Sequence, residues 1–153
     1  MNAIRNHYEL EVYKLAVNLA MEVFELSKKF PKEETYSLTD QIRRSSRSAA
    51  VIIAEGWRRR KYEAAFVNKL NESEGEAAET QSWLEFAVKS GYLERQRALK
   101  LHGHYDQLLG KLVNMGNNPG PWILSKTLNA RKISPAYPPT RLPARTSRRP
   151  SSV

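Results

Sequence analysis

The sequence predicts an all-α fold: an antiparallel up-and-down four-helix bundle over residues 1–116, followed by a flexible, disordered basic tail over residues 117–153. Three observations carry that expectation. Apolar residues recur at helical spacing in four stretches, and no stretch alternates with the period of a strand. Only one of the eight prolines, Pro31, lies within residues 1–116, and proline interrupts helices. The helical stretches are long, roughly three to seven turns, and the links between them are short, which favours antiparallel neighbours. A chain of 153 residues is expected to form one domain and to bury a core without disulfide or metal staples.

The first helix is expected to start at a capping box of Asn6 and Glu9, with Leu10, Tyr13, Val17, Ala20 and Phe24 on its inner face. Phe30-Pro31 ends it, because the residue before proline is pushed out of the α region. Ser37 and Asp40 suggest a second capping box. Behind it Leu38, Ile42, Ser45, Ala49 and Ile52 mark the inner stripe of a helix reaching about Gly56. The third helix carries Phe66, Leu70, Ser73, Ala77, Thr80, Leu84 and Ala87, alternately four and three apart, and Gly91 suits a C-terminal cap with positive φ. The fourth carries Ala98, Leu101, Tyr105, Leu108, Leu112 and Met115, then meets Gly116-Asn117-Asn118-Pro119. Ser45, Ala49, Ser73, Ala77 and Thr80 are small for core positions. They predict close packing of the second and third helices, with a hydroxyl-lined pocket as the rival reading.

Charge divides the chain more sharply than hydropathy does. Of the net +9, residues 1–116 hold 18 Lys+Arg against 16 Asp+Glu, while residues 117–153 hold seven bases and no acid. Those seven are Lys126, Arg131, Lys132, Arg141, Arg145, Arg148 and Arg149, interspersed with seven prolines, a composition that does not fold alone. The tail reads either as an electrostatic arm for RNA or as a solubilising extension, and its Trp122-Ile123-Leu124 patch offers a place to dock on the bundle. There is no cysteine, which excludes disulfides, thiolate metal sites and a cysteine nucleophile. No run of apolar residues is long enough to span a bilayer, and the N-terminus lacks the pattern of a secretory signal. A soluble, cytoplasmic protein without membrane partners is the expectation.

Several short stretches carry a family resemblance. Leu10-Glu11-Val12-Tyr13 with Ala16, Phe30-Pro31 with Glu33-Glu34, and Leu38 with Gln41-Ile42-Arg43-Arg44-Ser45-Ser46 come first. Ser48, Ile53-Ala54-Glu55-Gly56, Arg59, Glu79-Thr80, Trp83-Leu84 and Ser90-Gly91-Tyr92-Leu93 follow. Over about residues 8–116 the chain resembles the four-helix-bundle family encoded in rRNA intervening sequences. That family usually has Asn two residues before the Ala of Ala-Glu-Gly, where this chain has Ile52, so no role of that Asn transfers. The resemblance implies a homo-oligomeric ring, commonly a homopentamer, and no catalytic activity or cofactor. Related bundles are accessory subunits of diversity-generating retroelements, which implies RNA and a reverse-transcriptase-like protein as candidate partners.

Arg43, Arg44 and Arg47 sit on adjoining turns of the second helix, and Arg58, Arg59, Arg60 and Lys61 follow its end, with Glu55 the only acid between them. Guanidinium groups on one helix flank suit successive phosphates, and such binding gains from counterion release. The structural alternatives are cations placed against a helix C-terminus, and Arg43 and Arg47 paired with acids of a neighbouring helix or subunit. Glu72, Glu76 and Glu79 supply acids at the right spacing. Trp57 and Trp83 are expected in core or interface positions, and Trp57 beside Arg58 is a candidate stacking surface for unpaired bases. Metal and enzyme sites find no support. The histidines are His7, His102 and His104, no Glu-x-x-His pair occurs, and phosphate loops, nucleophile elbows and kinase motifs are missing. The expectation is therefore a non-catalytic bundle that binds RNA or a ribonucleoprotein. The alternative is a structural self-assembly and protein–protein interaction module without nucleic-acid binding.

Overall fold

The computed structural model describes residues 3–124, which form four helices and no strand. They are α1 (Glu11–Ser27), α2 (Leu38–Arg58), α3 (Glu63–Lys89) and α4 (Arg95–Asn117). Each packs on its neighbours in sequence, and α4 closes the ring of contacts back onto α1. This is the up-and-down bundle. The expected tail cations from Lys126 to Arg149 lie outside the described residues.

The seams of α3 and α4 match the spacing in the sequence residue for residue. Phe66, Leu70, Ser73, Ala77, Thr80, Leu84 and Ala87 are buried on α3, as are Ala98, Leu101, Tyr105, Leu108, Leu112 and Met115 on α4. Gly91, at φ 78°, ends α3 as expected: its N–H donates to Val88 O, and Tyr92 N–H reaches back to Ala87 O.

Of the expected inner stripe of the first helix, Leu10 and Ala20 are buried as expected, and the other three positions differ. Val12, Ala16, Leu19, Val23 and Leu26 fill the core, while Tyr13, Val17 and Phe24 stand at its edge. The helix is apolar on more than one face, so two heptad registers compete, and contact with α2 and α4 selects between them. On α2 the same ambiguity within Val51-Ile52-Ile53 resolves to Ile53 in the core and Ile52 half-buried.

Both expected capping boxes are also corrected. Asn6 Oδ1 accepts from Tyr8 N–H and caps a 3-10 turn, His7–Glu9, while α1 itself begins after Leu10 with no side-chain cap. At α2, Ser37 and Asp40 do not make the reciprocal bonds. Glu34, from a preceding 3-10 turn (Lys32–Glu34), accepts from Leu38 N–H at 3.1 Å and from Ser37 Oγ at 2.5 Å. Those donors hold the Glu34 carboxyl below the ordinary carboxylate range.

The small residues of α2 and α3 let the two axes approach closely. Ser73 Oγ donates across to Ala49 O at 2.7 Å, and the Ser45 and Thr80 hydroxyls meet at 2.8 Å. At Gly56 a Cβ would stand 3.2 Å from Lys69 Cβ, tighter than ordinary van der Waals contact. Tight packing of these helices is thus the structural use of the small side chains.

Beyond α4 the chain turns at Pro119 and packs back. Trp122 and Ile123 are half-buried against the core, and Leu124 N–H donates to Arg60 O at 3.1 Å.

Candidate nucleic-acid interface

Helix geometry sorts the charges of α2. At 3.6 residues per turn, Arg43, Arg47 and Arg58 fall within about 60° of arc and span roughly 22 Å along the axis. Arg44 and Glu55 lie further round, within about 20° of each other, on the side facing α3.

On that α3 side, charge is neutralised. Arg44 Nη2 meets Glu79 Oε1 at 2.6 Å, and its Nη1 stands 3.6 Å from Glu76 Oε1. Glu79 Oε1 also accepts from Trp83 Nε1 at 3.2 Å, which fixes the half-buried indole on the rim. The Glu79 hydrogen bond raises the Arg44 pKa above the guanidinium's ordinary value. Burial pushes the Glu76 carboxyl up despite the Arg44 charge, and its Oε2 is buried without a partner among the described residues. Level with Gly56 on α3, Lys69 Nζ bridges Glu55 at 3.1 Å and Glu72 at 2.9 Å. Those two carboxylates, Glu72 first, raise the Lys69 pKa. The expected acidic stripe therefore pairs within the protomer, and Arg44 is the member of the Arg43–Arg44–Arg47 group that it takes.

Arg43 and Arg47 have a different partner. Their guanidinium carbons stand 4.9 and 5.7 Å from the centroid of the Phe24 ring, and Lys28 Nζ stands 4.7 Å from the same ring. Arg43 Nε also donates to Ser27 Oγ at 2.7 Å. The negative face of the ring attracts all three cations without cancelling their charge. Among the described residues no carboxylate lies within ion-pair distance of Arg43 or Arg47, whereas Lys28 pairs with Glu25. Phe24 was expected in the core, and its role as a platform for α2 was missed. The available signal was its placement one turn from Lys28, with Arg43 and Arg47 a turn apart on the facing helix.

At the other end of α2, Arg58 and Arg59 are exposed with no carboxylate partner among the described residues, and Lys61 is exposed in the loop to α3. Arg60 is half-buried. Its guanidinium carbon lies 3.3 Å from the Trp57 ring centroid, and Nε donates to Trp57 O at 2.8 Å. Burial, with Arg58 beside it, lowers the Arg60 pKa from the guanidinium's ordinary value. Trp57 itself is 4% exposed, so an unpaired base reaches its ring only if Arg60 moves away. Two patches result, one around Phe24 and one at the α2–α3 corner, joined along the Arg43–Arg47–Arg58 flank.

Among the described residues no group of three or more His, Asp and Glu could hold a metal ion, and no helix is long and apolar enough to cross a membrane.

The family model for 23S rRNA-intervening sequence proteins matches residues 8–114, from the first 3-10 turn to the end of the α4 seam. The chain belongs to that family. A solved structure of a protein with unknown function from the S23 ribosomal protein family of Bacteroides thetaiotaomicron VPI-5482 is similar, with a TM-score of 0.62 and 27% identity. The match covers 68% of this chain and 96% of that one. No curated protein matches. In this chain the Gln41–Arg44 and Ala54–Gly56 motifs serve two structural ends. They place Arg44 on the acids of α3, and they let Lys69 come close enough to neutralise Glu55.

Proposed function

We propose that this protein works by binding and not by catalysis, and that the cationic flank of α2 binds RNA, alone or within a ribonucleoprotein such as one containing a reverse transcriptase. The observation that carries the reading is the division of the arginines: Arg43, Arg47 and Arg58 keep their charge unpaired while Arg44 is neutralised. Cations spaced along one flank match successive phosphates. Asp40, one turn before Arg43, is the acid of α2 at the end of that flank. The reading of no catalysis and no cofactor rests on the motifs that the sequence lacks.

Filter-binding titration with a structured RNA at several salt concentrations tests this. Affinity that falls with salt, and falls further in Arg43→Glu/Arg47→Glu, is expected. Affinity that is absent or independent of salt rejects the reading.

Self-assembly, with a homopentamer implied by the family, is proposed alongside. Tyr36 and Phe86 line one groove beside Trp83 and stay exposed on a single copy, which favours contact with further copies. Light scattering measures the assembly. A purely structural module requires Arg43 and Arg47 in ion pairs between copies, so charge reversal there would dissolve the oligomer.

A further inference from the structure

We infer that the α2–α3 corner recognises unpaired RNA bases, with the Arg60 guanidinium as the stacking surface and exposed Tyr62 as a second aromatic face. This rests on the RNA reading above and narrows its partner to single-stranded RNA.

The argument begins with the separation of Arg60 from Trp57. With the guanidinium carbon 3.3 Å from the ring centroid, a plane standing on edge would drive a nitrogen into the indole, so the two planes are stacked. One guanidinium face is therefore closed by the ring. Arg60 is half-buried and not closed off, and the guanidinium face turned away from the ring is the one a base would use.

That plane is held from several sides. Nε donates to Trp57 O at 2.8 Å, and Trp57 is buried in the core. The Arg60 backbone carbonyl accepts from Leu124 N–H, whose neighbours Trp122 and Ile123 pack on the core. An arginine on a free loop would lose its side-chain freedom on binding; here much of that loss has already occurred on folding. Guanidinium planes and aromatic rings are surfaces on which unpaired bases stack, with little sequence preference. Two residues on, Tyr62 is 63% exposed at the start of α3. Arg58 and Arg59 add charge for the sugar–phosphate chain on either side. A paired helix offers phosphates to these cations but keeps its bases stacked on one another.

The test compares an oligouridylate with an RNA duplex of equal phosphate number, using the full chain. Arg60→Lys keeps the charge and removes the plane. It is expected to lower oligouridylate affinity about fivefold or more and to leave duplex affinity within about twofold. A merely structural stack would change the melting temperature and neither affinity. If Arg60→Lys lowers neither affinity, or both equally, the inference is overturned while the RNA reading stands on its loss in Arg43→Glu/Arg47→Glu. If the wild-type chain binds neither RNA, both readings fall. Should Arg60→Lys fail to fold, Tyr62→Ala, whose side chain is exposed, takes its place with the same outcomes.

Discussion

Arg43 and Arg44 are adjacent in the chain and end in opposite electrostatic surroundings. Arg44 reaches across to α3 and finds two carboxylates; Arg43 turns toward α1 and finds a phenyl ring and a hydroxyl. A rotation of about 100° about the helix axis separates the two fates. Glu55 and Arg58 repeat the division about three to four turns later, since Glu55 is tied to Lys69 and Arg58 is exposed. One helix thus presents a neutralised flank to α3 and, toward α1, a flank whose cations have no carboxylate partner among the described residues. The lesson is that the number of arginines in a motif says less about binding than which neighbour each one faces.

The largest expected effect comes from spreading the neutral side. Gly56→Leu places a branched side chain where even a Cβ meets Lys69 Cβ at 3.2 Å. It is expected to cost about 2–3 kcal/mol in urea denaturation. A cost within error of zero would mean that α3 does not set the spacing. Next is the cationic flank. Arg43→Glu/Arg47→Glu is expected to weaken RNA binding about tenfold or more and to flatten the salt dependence by roughly two phosphate contacts, with a melting temperature lowered by the loss of the Phe24 and Ser27 contacts. Equal losses from Arg44→Met would break the distinction between the flanks. Arg44→Met should instead leave RNA affinity unchanged and destabilise by about 1 kcal/mol or less, because the pair is partly solvated. Its companion Glu76→Gln sharpens the point: burial already disfavours that carboxylate, so the amide is expected to cost less than the loss of Arg44.

The smallest effect concerns pH. The Glu34 pKa is lowered by Ser37 and Leu38 N–H, so its stabilising contribution is present above the ordinary value of 4.5 and is lost as pH falls through the folded-state value. Glu34→Gln should therefore lower stability at neutral pH and make acid unfolding shallower. Asp40→Asn, at the position the sequence suggested for the cap, should lower neutral stability less. Thermal melts of both variants across pH 3–7 decide between them; a larger loss from Asp40→Asn would overturn the Glu34 cap.

How much was legible follows the same division. The seams of α3 and α4 could be read directly, because each has apolar or small residues on one face and polar ones elsewhere. The register of α1 could not, because Val12, Leu15, Leu19 and Leu26 compete with Tyr13, Val17 and Phe24 for the core face. The α2 cap was hidden because its acceptor, Glu34, lies in a preceding turn and not at the spacing of a local box. For the candidate site, the arginine clusters and the acidic stripe were visible as residue types. Their pairing was not, since it depends on the rotation of α2 against α3, a tertiary quantity. Trp57 is buried as expected, and the Arg58–Arg60 run beside it was visible in the sequence, but not that Arg60 is the one that covers the ring.

The close approach at Gly56 has a consequence for how substitutions in the core register at the surface. Arg44 reaches Glu79 at 2.6 Å and Lys69 reaches Glu55 at 3.1 Å across axes that Ser73, Ala77 and Gly56 allow to sit close together. A methyl group added between the helices would lengthen the two interhelical pairs, Arg44–Glu79 and Lys69–Glu55, and leave Lys69–Glu72 within α3 as it is. Buried volume therefore sets which surface charges are paired: a silent-looking repacking of the interior would part Arg44 from Glu79 and Lys69 from Glu55 while leaving the net charge of the surface unchanged.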